Sequence, residues 1–123
     1  MTAGSSVGID MVSINRLERA LERRPQLAKR LFTDSELADC SARSRPARHL
    51  AARFCAKEAS IKALQLKVAS PLEFEVVGGR ALAPMLRVSG RAAERAAELG
   101  VELCVSLTHE GDMAAAVVVA SSR

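Results

Sequence analysis

The stretch that most constrains this chain runs from Arg53 to Leu64, Arg-Phe-Cys-Ala-Lys-Glu-Ala-Ser-Ile-Lys-Ala-Leu. Good helix formers dominate it and it holds neither Gly nor Pro, so it predicts a helix. Leu50, Phe54, Ile61 and Leu64 recur at near-helical spacing and supply an apolar stripe. At about 100° per residue, Glu58 falls one turn after Phe54 and one turn before Lys62. A carboxylate and an ammonium group therefore share a face that begins as an apolar one. Arg53 and Lys57 form a second pair one turn apart, of like sign, which repel slightly in isolation. Cations and a carboxylate gathered beside a buried stripe suit an anion and a metal ion. The plainer reading is a solvated ion pair worth roughly a few tenths of a kcal/mol.

The rest of the chain supplies elements to surround that helix. Val7 to Ile14 predicts a strand, with Val7, Ile9 and Met11 on one face and Gly8, Asp10 and Val12 on the other. Asp10 in such a strand needs a partner, a hydrogen bond or a metal; a carboxylate capping a nearby helix or turn is the structural alternative. Gly8 lets a second backbone or a ligand come close. Asn15 is placed to cap a helix over 16–23, with Leu17 and Leu21 buried and arginines outside; Pro25 ends it. Residues 26–32 predict a short helical piece. Thr33 and Glu36 match a capping box for a helix reaching about Cys40. The central helix begins near Pro46 or Ala47 and reaches about Gln65. A loop over 67–71 leads to a half-exposed strand over 72–77, a Gly78-Gly79 turn, and a hairpin partner over 81–88 in which Pro84 marks an edge or bulge. A helix over 91–99 ends at Gly100. Strands over 101–107 and 114–119 close the chain, with a turn over 108–112 that contains His109. Helices early and strands late around one long helix predict an α+β fold, an antiparallel sheet packed on that helix, in a single domain spanning 1–123.

Composition narrows the partners. Aromatic residues are only 2% of the chain and all are Phe, so neither stacking on bases nor a nucleic-acid partner is expected. A net charge of +4 favours phosphate-bearing ligands or acidic proteins. Cys40, Cys55 and Cys104 lie far apart with no CxxC pair, which points to reduced thiols rather than zinc or disulfides. No signal peptide is expected at the start, and no apolar run approaches the roughly 20 residues that span a bilayer. A cytoplasmic protein with no membrane partner follows.

Asp10 and Glu58 are the most suggestive pair. Two carboxylates with retained waters suit Mg²⁺, whose other ligands then come from substrate phosphates. Arg53, Lys57 and Lys62 would hold the remaining phosphate charge. His109 is a candidate phosphate donor or acid/base group. A triad of Ser106, His109 and Asp112 is a poor match, because Ser106 lies within a strand and lacks a nucleophile elbow. There is no Walker loop and no GxGxxG. The pattern describes a metal-dependent phosphate enzyme without naming it.

Gly8-Ile9-Asp10, Phe32-Thr33 with Glu36, Arg53-Phe54, Lys57-Glu58-Ala59 with Lys62-Ala63-Leu64, and Val105 to Glu110 together resemble the small bacterial 4′-phosphopantetheinyl transferases, the holo-acyl-carrier-protein synthases. The resemblance runs from about Val7 to Ala120. It implies transfer of the phosphopantetheine arm of coenzyme A to a serine of apo acyl carrier protein, with release of 3′,5′-ADP. It implies Mg²⁺ on Asp10 and Glu58, with Lys62 supporting the phosphates. Arg53, Lys57, Pro84 and His109 would line the coenzyme pocket, Arg16 would contact the acidic carrier, and the assembly would be a homotrimer with sites between subunits. Three departures stand out: Ser13 where the family usually carries Glu, a Gly-free loop at 65–71, and Leu82-Ala83 in place of a Gly-Lys pair. A coenzyme A or phosphate-binding protein without catalysis, and an interaction domain using its arginine faces, are the alternatives.

Overall fold

The computed structural model describes residues 5–123. Strand β1 (Ser6–Ser13) leads straight into helix α1 (Ile14–Arg23), followed by the short α2 (Leu27–Leu31), α3 (Asp34–Ser41) and the long α4 (Pro46–Ala63). A 3₁₀ turn at Pro71–Glu73 introduces β2 (Phe74–Val77) and β3 (Met85–Val88); α5 (Gly90–Leu99), β4 (Val101–Glu110) and β5 (Met113–Ser122) complete the chain. The strands form two antiparallel sheets, β1-β5-β4 and β2-β3, so the expected α+β class is observed with the antiparallel strands divided.

Helix α4 lies across the inner face of the three-stranded sheet. Its buried residues Ala51, Ala52, Cys55, Ala56, Ala59 and Ala63 meet Ala114, Ala116, Val118 and Ala120 of β5. Small side chains on both surfaces let the two backbones approach closely. At Gly8 the approach is so close that an added Cβ would collide with the carbonyl oxygen of Ala59. The glycine is thus required by the packing, as its place in the strand suggested.

Several boundaries differ from expectation for local reasons. Ser13, not Asn15, is the N-cap of α1: its backbone is extended and its Oγ accepts from the Arg16 amide. Ile14 is therefore the first helical residue and is fully buried. Helix α4 stops at Ala63 because Gln65 takes a left-handed conformation, φ 54°. Pro71–Glu73 form the 3₁₀ turn, which delays β2, and Pro84 lies outside β3 rather than within it. β4 continues through Thr108 and His109 to Glu110, so His109 belongs to a strand and the turn is confined to Gly111 and Asp112. The capping box of α3 is present as expected, with Thr33 and Glu36 bonding each other's amides.

The outer face of the three-stranded sheet is uncovered. Val7, Ile9 and Met11 are 63%, 66% and 64% exposed, and Val119 beside them is 37% exposed. Their alternation is that of a half-buried strand turned over: the row carrying Gly8, Asp10 and Val12 faces α4 instead. Gly8→Ala is expected to destabilise the protein by about 3 kcal/mol, the upper end for overpacking, because the obstacle is backbone; urea unfolding measures it, and an unchanged midpoint would contradict the packing account.

Candidate active site

β1 and α4 bring two carboxylates together. Asp10 sits on the helix-facing side of β1 and Glu58 near the middle of α4. Lys62, one turn beyond Glu58, reaches back to the strand: its Nζ donates to the Ile9 carbonyl at 2.9 Å and lies 3.4 Å from Asp10 Oδ1. Lys62 is more than half exposed, so this ion pair is open to solvent and to ligands. Burial pushes the Glu58 carboxyl above its ordinary range, the charge of Asp10 pushes the same way, and Lys62 opposes both. A half-buried pair of like charges answered by one solvated ammonium group leaves unbalanced negative charge. Two oxygen-ligand carboxylates with space for waters and substrate oxygens fit Mg²⁺; among the described residues no third His, Cys, Asp or Glu joins them.

Cys55, one turn before Ala59 on the same helix, packs behind this pair. Its Sγ donates to the Ala114 carbonyl at 3.5 Å. Burial first, then Asp10, pushes the thiol up to about 12, so it stays protonated and unreactive.

Lys57 does not line a ligand pocket, contrary to the resemblance. It is fully buried, and its ammonium group donates to Glu36 Oε1 at 2.7 Å, to the Pro71 carbonyl at 3.0 Å and to the Phe74 carbonyl at 2.6 Å. All three donors are used. Burial lowers the Lys57 pKa, and Glu36 acts against that shift. Glu36 also accepts from the amides of Thr33 and Val76, so this buried pair binds α3, α4 and β2 into one frame. Helical spacing placed Lys57 beside Glu58 in sequence; it is the turn of about 100° per residue that sends the two to different sides.

Arg53 is also buried, 2% exposed, and pairs with Asp39 and the Gly78 carbonyl. It adds its charge from beneath to a basic corner made with Arg43, Arg48, His49 and His109. The Nε atoms of Arg43, Arg48 and Arg53 are buried without a hydrogen-bond partner among the described residues. His49 and His109 meet edge to face, ring centroids 6.1 Å apart. Burial and the neighbouring arginines lower the His49 pKa. Among the described residues, Asp39 is the only carboxylate that these basic residues pair with, in ion pairs to Arg43 and Arg53, so the corner suits an anion. Sequence reasoning missed Arg43, Arg48 and His49; the spacing of His49 one turn before Arg53 was the available signal.

One chain does not unite these groups. Leu107 pairs with Ala116, which pairs with Asp10, so His109 lies two strands across and two residues along from Asp10, roughly 12 Å away. Pro84 lies elsewhere again, lining a cleft of about 450 Å³ with Met85, Leu86, Leu103 and Val105, away from Asp10, Glu58 and Lys62. Arg16 is exposed on α1.

The sequence profile of the 4′-phosphopantetheinyl transferase superfamily matches residues 6–118. The holo-[acyl-carrier-protein] synthase of Streptomyces griseus is 50% identical over 120 residues, 93% of this chain and 95% of the relative. That of Moorella thermoacetica is 45% identical over 118 residues, 94% and 92% of the two chains. The solved structure of a Chronobacterium ammoniagenes ACPS-CoA complex superposes with a TM-score of 0.86 at 29% identity, covering 98% of both chains. The fold is that of a 4′-phosphopantetheinyl transferase. Within that superfamily the chain belongs to the holo-acyl-carrier-protein synthases.

Glu58 also predicts a measurable linkage. A carboxyl whose pKa is raised on folding favours the fold while protonated; that contribution is complete below the unfolded pKa and is lost as pH rises through the folded one. Glu58→Gln is therefore expected to raise the melting temperature at neutral pH, with the gain shrinking as the pH falls below the Glu58 pKa. A difference independent of pH would contradict the assigned strain.

Proposed function

We propose that Asp10 and Glu58 hold Mg²⁺ beside the pyrophosphate of coenzyme A while this enzyme moves the 4′-phosphopantetheine arm to a serine of an apo acyl carrier protein. The observation that carries this reading is the convergence of two carboxylates from β1 and α4, with Lys62 between them and solvent. Bound there, Mg²⁺ would offset negative charge on the phosphoryl oxygens as the transition state forms.

The protein's own groups do the rest. Lys62 places its ammonium group over the phosphates, where charge grows during transfer. Glu58 takes the proton from the serine hydroxyl, either directly or through a water that it orients. The serine Oγ–phosphorus bond forms, the bond to the leaving phosphate oxygen breaks, and 3′,5′-ADP departs. The basic corner of Arg43, Arg48, Arg53, His49 and His109 suits a phosphate monoester, which carries close to two charges near neutral pH.

Two surfaces complete the proposal. Arg16, Arg19, Arg23, Arg24, Lys29 and Arg30 are exposed along α1 and α2 and suit an acidic carrier. The uncovered row of Val7, Ile9, Met11 and Val119 suits neighbouring copies of the chain in a homotrimer, with each site completed across a subunit boundary. Such packing offers the acidic pair of one chain the basic corner of the next, which no single chain supplies. The enzyme's proposed location is the cytoplasm; no described helix is long and apolar enough to cross a membrane.

Carrier mass, turnover and sedimentation test this. Incubation with coenzyme A, Mg²⁺ and apo carrier is expected to add one phosphopantetheine arm to the carrier by mass. Glu58→Gln is expected to lower turnover by about 10²–10⁴-fold with coenzyme A binding retained; near-normal turnover with Mg²⁺ bound would exclude Glu58 as the base. Sedimentation is expected to report three times the 13.1 kDa chain mass. Ile9→Asp is expected to shift that value toward the monomer, and a wild-type monomer at micromolar concentration would contradict the shared site.

A further inference from the structure

Ser13 stands midway between Asp10 and Arg16, where β1 becomes α1 without a loop. Its hydroxyl has two bonds: it accepts from the Arg16 amide at 3.2 Å and donates to Asp112 Oδ2 at 2.6 Å. Asp112 belongs to the two-residue turn between β4 and β5. Its other oxygen, Oδ1, accepts from the Asn15 amide at 2.9 Å, and its carbonyl accepts from the Ile14 amide at 2.7 Å. One residue from a distant hairpin thus satisfies two amides at the start of α1 and holds the side chain that caps a third. The Ser13 hydroxyl, then the Asn15 amide, hold the Asp112 carboxyl below its ordinary range, which keeps it an acceptor at both oxygens. On the other side, Arg45 donates to Asn15 Oδ1 at 3.3 Å and ties the first turn of α1 to the start of α4.

We infer that Asp112 is a positioning residue for the carrier-protein substrate: through Ser13 and Asn15 it sets the angle at which α1 leaves the sheet, and so where Arg16 stands relative to Asp10. This rests on reading the basic face of α1 as the carrier-docking surface. The physical need is plain. A carrier gripped by α1 must also seat its serine beside Asp10, and a small angular error at a helix start grows along the helix until both contacts no longer fit one carrier, which weakens its binding in the productive pose. The strand-to-helix junction has no loop to absorb such error, so the angle depends on the bonds at the junction. Coenzyme A does not need α1 in this way, because the acidic pair lies on β1 and α4.

Steady-state transfer with the full chain, saturating coenzyme A, Mg²⁺ and varied apo carrier separates the two substrates. Asp112→Ala is expected to raise KM for the carrier roughly fivefold, the scale of one lost capping interaction, with kcat within about twofold. The dissociation constant for coenzyme A is expected to stay unchanged. Ser13→Ala should act in the same direction, and the double variant should lose less than the two single effects multiplied, because the Ser13–Asp112 bond is common to both while the Arg16 and Asn15 amide bonds are not. Asp112→Asn, which keeps one acceptor oxygen, should fall between wild type and Asp112→Ala; it also serves if the alanine variant folds poorly. Arg16→Ala tests the docking surface itself. If it raises the carrier KM while the Asp112 and Ser13 variants leave it unchanged, the positioning role is overturned alone. If Arg16→Ala is also silent, the docking reading fails and takes the inference with it. Equal losses for carrier and coenzyme A, accompanied by a lower melting temperature, would overturn the inference in favour of general stability.

Discussion

The close approach of α4 to the inner face of β1 and β5 is the contact on which the rest depends. Alanines on the helix and on β5, and the absent side chain of Gly8, allow it. Larger residues would hold the helix off by the width of a side chain. Asp10 and Glu58 would then stand farther apart, and Lys62 could not reach the Ile9 carbonyl. A core made of such small residues buries little area per residue, so its stability rests on extent and fit rather than on a few large side chains.

Charge placement follows burial. Lys57 and Lys62 stand five positions apart on one helix and have opposite fates. Lys57 enters the interior, and its three donors meet Glu36 and two carbonyls; breaking such a buried pair leaves an uncompensated charge. Lys62 stays more than half in solvent, held by the Ile9 carbonyl and a long ion pair to Asp10. Arg53 lies between these cases, buried but with an Nε that no described group satisfies. The buried frame around Glu36 and Lys57 carries the helix that presents Glu58, so structural and chemical charges occupy adjacent positions without competing.

Much of this was legible from residue types. The capping box at Thr33 and Glu36, the limits of the long helix to within a few residues, and the need for glycine at position 8 all rest on local rules. So did the pairing of Asp10 with Glu58, since an Asp in an apolar strand demands an explanation. The N-cap of α1 was misplaced because Asn15 and Ser13 are both good caps, and the choice between them was made by Asp112, remote in sequence. His109 was assigned to a turn because polar residues cluster there, whereas pairing with Ala114 extends the strand through it.

The sequence by itself determined the class of fold, the central helix and the two carboxylates, because periodicity, capping and the cost of a buried charge act over a few residues. Only the tertiary structure decided which lysine is buried, which face of β1 meets the helix, and that the basic corner stands apart from the acidic pair within one chain. Those outcomes depend on strand order and on which backbone can approach which. Such long-range geometry leaves no periodic trace along the chain.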